Sequence, residues 1–331
     1  MALPESAVAF LASQADRVRG LKTKKRIVFP EGADPRVVAA AERLAREGLL
    51  EPILVAAPPA KAAGGLQFAD PANSPQAGRY AALYYERRRA KGVTLVEARQ
   101  VAARPLYFSA LMVEAGDADG FVGGAANSTA ETVRAALHCI GTPPSVRTVS
   151  SILILCVRDR AFGHNGLLAV ADTAVVIQPS AVELAEITIA TAENARILLD
   201  TEPVIAMLSF STKGSSRHAE VERVQNALRI VRERAPGLHV DGEMQADAAL
   251  VAEVSGSKAP GSTVAGRANT LIFPDLNSAN IGYKLVERLG DAAAFGPLLQ
   301  GLAKPANDLS RGCSAQDIYA VALATALQSE R

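Results

Sequence analysis

The chain has 331 residues, of which 49% are apolar and 21% charged, and its net charge is +1. This length exceeds what a single hydrophobic core usually serves, so we expect two domains. A near-zero net charge provides no field that would draw nucleic acid or an anionic membrane, and we expect neither as a partner.

Short β-branched segments alternate with longer Ala-rich amphipathic segments along the chain. The first half predicts a strand at 26–29, a helix at 35–47, a strand at 52–55, a loop at 56–65 and a helix at 75–89, which begins at Pro75 with Ser74 as its cap. The second half predicts strands at 121–122, 149–157, 167–171, 204–208, 238–240 and 270–273, and helices at 182–199 and 219–234. Continuous apolar strands separated by helices indicate mostly parallel sheets covered on both faces.

Several common catalytic motifs are absent from the sequence. It contains no GxGxxG, GxxxxGK[ST], HExxH or GxSxG segment, which disfavours dinucleotide binding, nucleotide hydrolysis, zinc chemistry and a nucleophile elbow. None of the four histidines has a metal-like spacing to another. Three cysteines far apart do not suggest disulfides, and the start of the chain lacks the pattern of a signal peptide, so we expect a reducing, cytoplasmic setting.

The first polar cluster is a glycine turn between a predicted strand and a helix. Gly123 and Gly124 end the strand, and Ser128 with Glu131 has the spacing of a capping box. Unpaired N–H groups and the helix dipole at such a start can hold an anion, and Arg134 lies one turn further on. The alternative is a capped helix without a ligand, with Arg134 in solvent.

The second polar cluster precedes the last helix. Ser310 offers a hydroxyl donor, and Arg311 offers a planar fork that suits phosphate oxygens. Ser314 and Asp317 also have cap spacing, so the Asp317 carboxylate is either a helix cap or a functional group. Cys313 has no histidine near it in sequence, and we interpret it as a buried thiol.

The third cluster is a basic helix end. Arg88 follows Tyr84 by four residues and shares its face, so its side chain could turn inward and reach a phosphate of a large anionic cofactor. The alternative is a solvated cluster that complements the helix dipole.

Together with these clusters, several motifs resemble phosphate acetyltransferases, and they occur in order from about residue 26 to about 325. They are Phe29-Pro30-Glu31 with Asp34-Pro35-Arg36, and the segments at 207–212 (MLSFST), 241–249 (DGEMQADAA), 264–269 (VAGRAN), 273–276 (FPDL), 280–284 (NIGYK), 296–301 (GPLLQG) and 308–314 (DLSRGCS). Two departures from the family pattern, Ala279 for glycine and Ile177 for proline, affect local loop shape more than chemistry.

The resemblance implies a fold of two three-layer α/β/α domains with a cleft between them, similar to isocitrate and isopropylmalate dehydrogenases. One domain would comprise 1–145 plus 305–331 and the other 146–304, in agreement with the turn-forming stretches at 141–144 and 304–305. It further implies a homodimer that uses coenzyme A as a substrate, with acetyl-CoA, acetyl phosphate and inorganic phosphate, and no metal at the reacting centre.

By the same resemblance, three residues match catalytic positions: Ser310, Arg311 and Asp317. Arg88 and Arg134 match arginines linked to substrate binding, and Asn280, Tyr283 and Lys284 lie in a motif near the cleft. From their place at the predicted helix start, Ser128 and Thr129 are also expected to bind substrate.

The implied reaction is attack of the coenzyme A thiol on acetyl phosphate. Asp317 would take the thiol proton, Ser310 would donate to the carbonyl oxygen, and Arg311 with Arg134 would hold the phosphoryl group. An ordinary Asp is about 4.6 pKa units below a thiol, so full proton transfer would cost about 6 kcal/mol. The site must therefore raise the pKa of the carboxyl, stabilise the thiolate, or couple proton transfer to attack.

Three alternatives remain at this point. The first is a phosphate butyryltransferase or another short-chain acyl specificity, although the Glu243-to-Asp247 segment looks more like the acetyl enzymes. The second is an NAD-dependent decarboxylating dehydrogenase on the same fold, which would need a cluster of metal-binding aspartates. The third is a non-catalytic ligand-binding domain.

Overall fold

The computed structural model describes residues 3–59 and 65–330, so residues 60–64 of the predicted loop at 56–65 lie outside the described part. The described residues form two compact units. The first unit comprises 13–143 and 302–330, and the second comprises 3–12 and 144–301. Residues 3–12 group with the second unit because Ser6 Oγ donates to the Val157 carbonyl (2.6 Å) and the Phe10 ring packs on Phe295.

Within the described residues, eleven strands occur, numbered β1 to β11 in chain order. They are Lys25–Phe29, Leu50–Leu54, Gln67–Phe68, Gly120–Gly123, Ser150–Cys156, Leu167–Ala171, Val204–Leu208, His239–Met244, Thr270–Ile272, Ala293–Gln300 and Ala306–Asp308.

The same residues contain twelve α-helices, numbered α1 to α12 in chain order. They are Glu5–Arg19, Pro35–Arg46, Ala77–Arg88, Leu95–Ala102, Pro105–Ala115, Thr129–Cys139, Ala181–Leu199, Ala219–Arg234, Ala246–Leu250, Ala252–Lys258, Leu276–Leu289 and Ala315–Gln328, and a short 3-10 turn at Arg89–Lys91 follows the third. Among the described helices, none combines the length and hydrophobicity needed to cross a bilayer.

The first unit is built on a five-stranded sheet of order β11-β4-β1-β2-β3, in which every pairing is parallel. Helices α2 and α12 pack together on one face, and α5 packs with α6 on the other. Ile27, Val28 and Phe29 of β1 are fully buried because both faces of their strand are covered. This three-layer α/β arrangement confirms the predicted fold class for this unit.

The second unit contains a six-stranded sheet of order β10-β5-β6-β9-β7-β8. Its β6, β9, β7 and β8 are parallel, as predicted, whereas β5 runs antiparallel to both β6 and β10. The apolar pattern of β5 predicts burial on both faces, which the structure confirms, but burial alone does not specify strand direction. Helices α7 and α8 pack together against this sheet.

Two local predictions need correction. The helix expected to begin at Pro75 begins at Ala77, and Ser74 Oγ accepts from the Gln76 N–H of a preceding turn (3.2 Å) instead of capping the helix. The segment before the last helix, expected to be a loop, contains the short strand β11, whose partner strand is nearly two hundred residues away.

Candidate active site

Two parallel strands of the first unit end side by side and bring the first two polar clusters together. Asp308 at the end of β11 pairs with Gly123 at the end of β4, and the Leu309 N–H donates to the Gly123 carbonyl (2.7 Å). Gly124 has φ +108°, and a Cβ there would lie 2.7 Å from the Leu309 carbonyl oxygen. The glycine turn and the 309–314 loop therefore touch through their backbones, and only glycine permits this approach.

Helix α6 begins at this edge with a capping box. Ser128 Oγ accepts from the Glu131 N–H, and Glu131 Oε2 accepts from the Ser128 N–H (3.0 Å) and Oγ (2.7 Å), as the spacing predicts. These bonds lower the pKa of Glu131, so it stays ionised. The remaining N–H groups of the first turn keep the positive end of the helix dipole.

Helix α12 begins with a second capping box. Asp317 Oδ2 accepts from the Ser314 N–H (2.8 Å) and Oγ (2.9 Å), while Ser314 Oγ accepts from the Asp317 N–H (3.2 Å). The cap interpretation of Asp317 is thus confirmed. Its Oδ1 makes no hydrogen bond within the described residues, so one carboxylate oxygen remains for a second role.

A cavity of about 300 Å³ lies beside the α6 N-terminus. Its lining combines two arginines with polar and apolar groups: Pro30, Glu31, Arg104, Pro105, Leu106, Tyr107, Asn127, Glu131 and Arg134. Arg134 forms neither a salt bridge nor a hydrogen bond with any described residue. Arg134 is exposed where it lines this cavity, so its guanidinium is open both to solvent and to an anion.

Arg88 turns inward from the end of α3, whereas its neighbour Arg87 is paired with Glu114 (2.5 Å). The Arg88 side chain is half-buried, and its Nε is buried without a hydrogen-bond partner among the described residues. Burial, together with the positive charges of Arg88 and Arg134, lowers the pKa of His138. A neutral His138 leaves the arginines as the cationic groups of this region.

Sequence reasoning missed Arg104, which lines the cavity and is the N-cap residue of α5. A signal was present, because a cation directly before Pro105 places its charge at the positive end of a helix dipole. That placement does not stabilise the helix, so helix stability does not account for an arginine at this position.

Two carboxylates lie beneath the glycine turn. Asp308 is 1% exposed and accepts from Thr129 Oγ1 (2.6 Å), and burial raises its pKa to about 6. Glu31 Oε1 accepts from the Gly124 N–H (2.8 Å) and from Asn127 Nδ2 (2.7 Å). The hydroxyl proton of Thr129 is therefore engaged by protein, which leaves its backbone N–H as the group that could meet a ligand.

The cysteine interpretation is confirmed for Cys313, which is a buried residue of the 309–314 loop. Burial raises the pKa of its thiol, so it is not an activated nucleophile. Within the described part of the chain, no group of three His, Cys, Asp or Glu side chains is arranged to hold a metal ion.

The remaining predicted site residues lie on α11 of the second unit. Asn280 Nδ2 donates to the Thr173 carbonyl (3.2 Å), and Lys284 Nζ lies 5.9 Å from the centre of the Tyr283 ring. Tyr283 also lines an apolar cavity of about 540 Å³ in that unit, and burial raises its pKa. The seven other predicted residues, Arg88, Ser128, Thr129, Arg134, Ser310, Arg311 and Asp317, belong to the first unit.

Comparisons with known proteins agree with this geometry. The family model described as "Phosphate acetyl/butaryl transferase" matches residues 10–326. A phosphate acetyltransferase from Thermoanaerobacterium thermosaccharolyticum is 48% identical over 314 residues, covering 93% of this chain and 96% of the relative. The crystal structure of a phosphotransacetylase from Streptococcus pyogenes has a TM-score of 0.91 and 43% identity, covering 98% of this chain and 99% of that one.

A more distant solved structure has the same fold without close sequence similarity. It is described as a 4-hydroxythreonine-4-phosphate dehydrogenase from Salmonella typhimurium, with a TM-score of 0.53, 14% identity, and coverage of 92% of this chain and 100% of that one. This likeness supports the predicted dehydrogenase-like fold and nothing about activity. The family model and the 48% identical relative both cover nearly the whole chain, and the chain therefore belongs to the phosphate acetyl/butyryl transferase family.

Proposed function

We propose that this protein transfers an acetyl group reversibly between acetyl phosphate and coenzyme A, forming acetyl-CoA and inorganic phosphate. The observation that carries the proposal is the contact of the 309–314 loop with the glycine turn that leads into α6, where Glu131 feels the charges of both Arg311 and Arg134. The chain is also 48% identical to a phosphate acetyltransferase. Helix N-termini and arginine side chains are groups that commonly bind phosphate in proteins.

In the proposed reaction, the thiol sulfur attacks the carbonyl carbon of acetyl phosphate. The S–C bond forms, the C–O bond to phosphate breaks, and the thiol proton passes through Asp317 to the leaving phosphate. Ser310, which is exposed, donates to the carbonyl oxygen as its charge develops. Arg311 and Arg134 hold the phosphoryl oxygens.

The roles of the other residues follow from their places. Thr129 offers its backbone N–H at the first turn of α6 to the phosphoryl group. The N–H and Oγ of Ser128 donate to Glu131, so the part we propose for Ser128 in substrate binding is to order this turn. Arg88 binds a phosphate of coenzyme A, supported by its inward, half-buried guanidinium. Asn280, Tyr283 and Lys284 are proposed to bind substrate on the strength of the resemblance alone.

Asp317 is proposed as both cap and general base. The two roles use different oxygens, since Oδ2 caps the helix and Oδ1 is unengaged within the described residues. An ordinary carboxyl lies about 4.6 pKa units below a thiol, so proton transfer must accompany attack or a stabilised thiolate must form. The cations Arg311 and Arg134 favour the thiolate.

The decisive experiment is coenzyme A-dependent release of phosphate from acetyl phosphate by the purified protein. We expect turnover without added metal or NAD, and no phosphate release when coenzyme A is omitted. Acetyl phosphate should be a better substrate than butyryl phosphate, and the reverse preference would replace the acetyl assignment with the butyryl alternative. Reduction of NAD with a 2-hydroxy acid would instead support the dehydrogenase alternative.

We also propose that the protein is a cytoplasmic homodimer whose domains comprise 1–145 with 305–331 and 146–304.

One surface supports the dimer: α11 exposes four large apolar side chains, Ile281, Leu285, Val286 and Leu289, the last of them 82% exposed. Light scattering should give the mass of two chains for the wild type. The double variant Leu285→Glu/Leu289→Glu should be monomeric, whereas Val96→Glu, which alters an exposed apolar residue of α4, should not. A wild-type monomer would overturn the proposal.

A further inference from the structure

The guanidinium of Arg36 links several backbone segments of the candidate site. Its Nη1 donates to the carbonyl oxygens of Arg311 (2.8 Å) and Cys313 (3.0 Å), and its Nη2 donates to the Ala125 carbonyl (2.8 Å). Nε and Nη2 also form a bidentate pair with Asp34 (3.1 and 2.8 Å). One side chain thus holds both the glycine turn and the 309–314 loop.

The loop has few other restraints. It contains no regular secondary structure, and its internal bonds are Cys313 N–H to the Ser310 carbonyl (2.9 Å) and Gly312 N–H to Ser310 Oγ (3.3 Å). Arg36 fixes the carbonyls on either side of Gly312, the most flexible residue of the loop. Because peptide planes are rigid, fixing these carbonyls fixes the planes that follow Arg311 and Cys313 and so restricts the backbone that carries the Ser310 and Arg311 side chains.

Asp34 keeps the Arg36 guanidinium in place. Its carboxylate caps α2 through the Arg36 N–H (2.9 Å) and pairs with the guanidinium, and the bond from Arg36 lowers the pKa of Asp34. The planar fork of arginine matches this set of acceptors, whereas lysine offers one point of donation and cannot bridge them. The arrangement requires arginine.

We infer that Arg36 is a positioning residue, which holds the Ser310–Arg311 loop against the glycine turn in the geometry that acyl transfer needs. The inference rests on the proposed function, because it concerns the geometry of the proposed catalytic residues. Arg36 acts through backbone carbonyls and not on the substrate. Its removal should lower kcat, since a displacement of about 1 Å in a reacting group can cost about 10²-fold in rate.

Arg43 provides a matched control on the same helix. Its side chain is 38% exposed against 33% for Arg36, and it also pairs with an acid. It contacts α12 through Gln316 Oε1 (2.7 Å) and the Tyr319 ring (3.8 Å) and does not touch the 309–314 loop. Both arginines attach α2 to the last segment of the chain, but Arg36 alone of the two contacts the loop carbonyls.

The experiment compares Arg36→Ala, Arg36→Lys, Arg43→Ala and Ser310→Ala in phosphate release and thermal unfolding. For Arg36→Ala we expect kcat about 10²-fold lower with the KM for coenzyme A changed less than about 3-fold. Arg36→Lys should not restore the rate, whereas millimolar guanidinium ion should partly restore Arg36→Ala. Arg43→Ala should lose comparable thermal stability but keep kcat within about 3-fold.

The inference would be overturned if Arg36→Ala and Arg43→Ala lost equal rate, in proportion to their lost stability and without rescue by guanidinium ion. Arg36 would then stabilise the fold without positioning the loop. If Arg36→Ala has the wild-type kcat while Ser310→Ala has a lowered kcat, the positioning role of Arg36 is overturned and the proposed function stands. Wild-type kcat in Ser310→Ala would instead contradict the proposed role of the loop, and the inference would fail with it.

Discussion

Replacing Gly124 with alanine should force apart the two segments that form the candidate site. A Cβ at Gly124 would lie 2.4 Å from Asp308 Oδ1, 2.7 Å from the Leu309 carbonyl oxygen and 2.8 Å from the Leu309 nitrogen. Ordinary contact begins near 3.4 Å, so the loop backbone must move by about 0.7 Å, and displacements near 1 Å cost up to about 10²-fold in rate. The backbone at φ +108° adds strain of about 1–3 kcal/mol.

Gly116→Ala separates these two effects. Gly116 also has positive φ (+80°), but a Cβ there meets no described atom within 4 Å, so it carries strain without displacing the loop. We expect Gly124→Ala to lower kcat for phosphate release by about 10²-fold and Gly116→Ala to leave kcat nearly unchanged, although both lower the unfolding temperature. If both variants keep wild-type kcat, the close approach at Gly124 does not set the geometry of the site.

The other predictions concern charged groups of the first unit. Asp317→Asn should keep the helix cap but lower kcat by about 10²-fold or more, and near wild-type turnover at saturating substrates would leave the cap as its only role. Arg134→Ala should raise the KM for acetyl phosphate, and unchanged constants would remove it from the site. Arg88→Ala should raise the KM for coenzyme A. The control variant Arg87→Ala, which alters the neighbouring arginine paired with Glu114, should leave this KM unchanged. The pKa of Asp308 is about 6, against about 3.9 in an unfolded chain, so between these values the native state binds a proton that the unfolded chain has lost. The free energy of unfolding should therefore fall by about 3 kcal/mol as pH rises from about 4 to 6. Denaturant titrations across this range should show a smaller fall for Asp308→Asn than for the wild type, and an equal fall would contradict the raised pKa of Asp308.

Individual helices and strands could be predicted from the sequence because apolar periodicity and cap spacing involve only residues close together in the chain. Apolar periodicity predicted α8 at its observed bounds, and β6 and β7 likewise. The Ser128–Glu131 and Ser314–Asp317 spacings predicted both capping boxes, since the groups that form each lie within one helical turn.

Strand pairing was decided by tertiary structure. β11 is three residues long and has no apolar pattern of its own, and it is a strand because it completes the sheet beside β4. Likewise, the antiparallel direction of β5 depends on its neighbours β6 and β10, which the composition of β5 does not encode.

The candidate site divides in the same way. The residue types of Ser310, Arg311 and Asp317, with the family motifs around them, pointed to phosphate chemistry from the sequence alone. Their proximity to the glycine turn, the burial that raises the pKa of Asp308, and the attachment of the loop by Arg36 required the folded chain. The sequence by itself determined which groups are present and which form local caps, whereas the contacts between distant segments were decided by the tertiary structure, because desolvation and backbone approach depend on residues far apart in the chain.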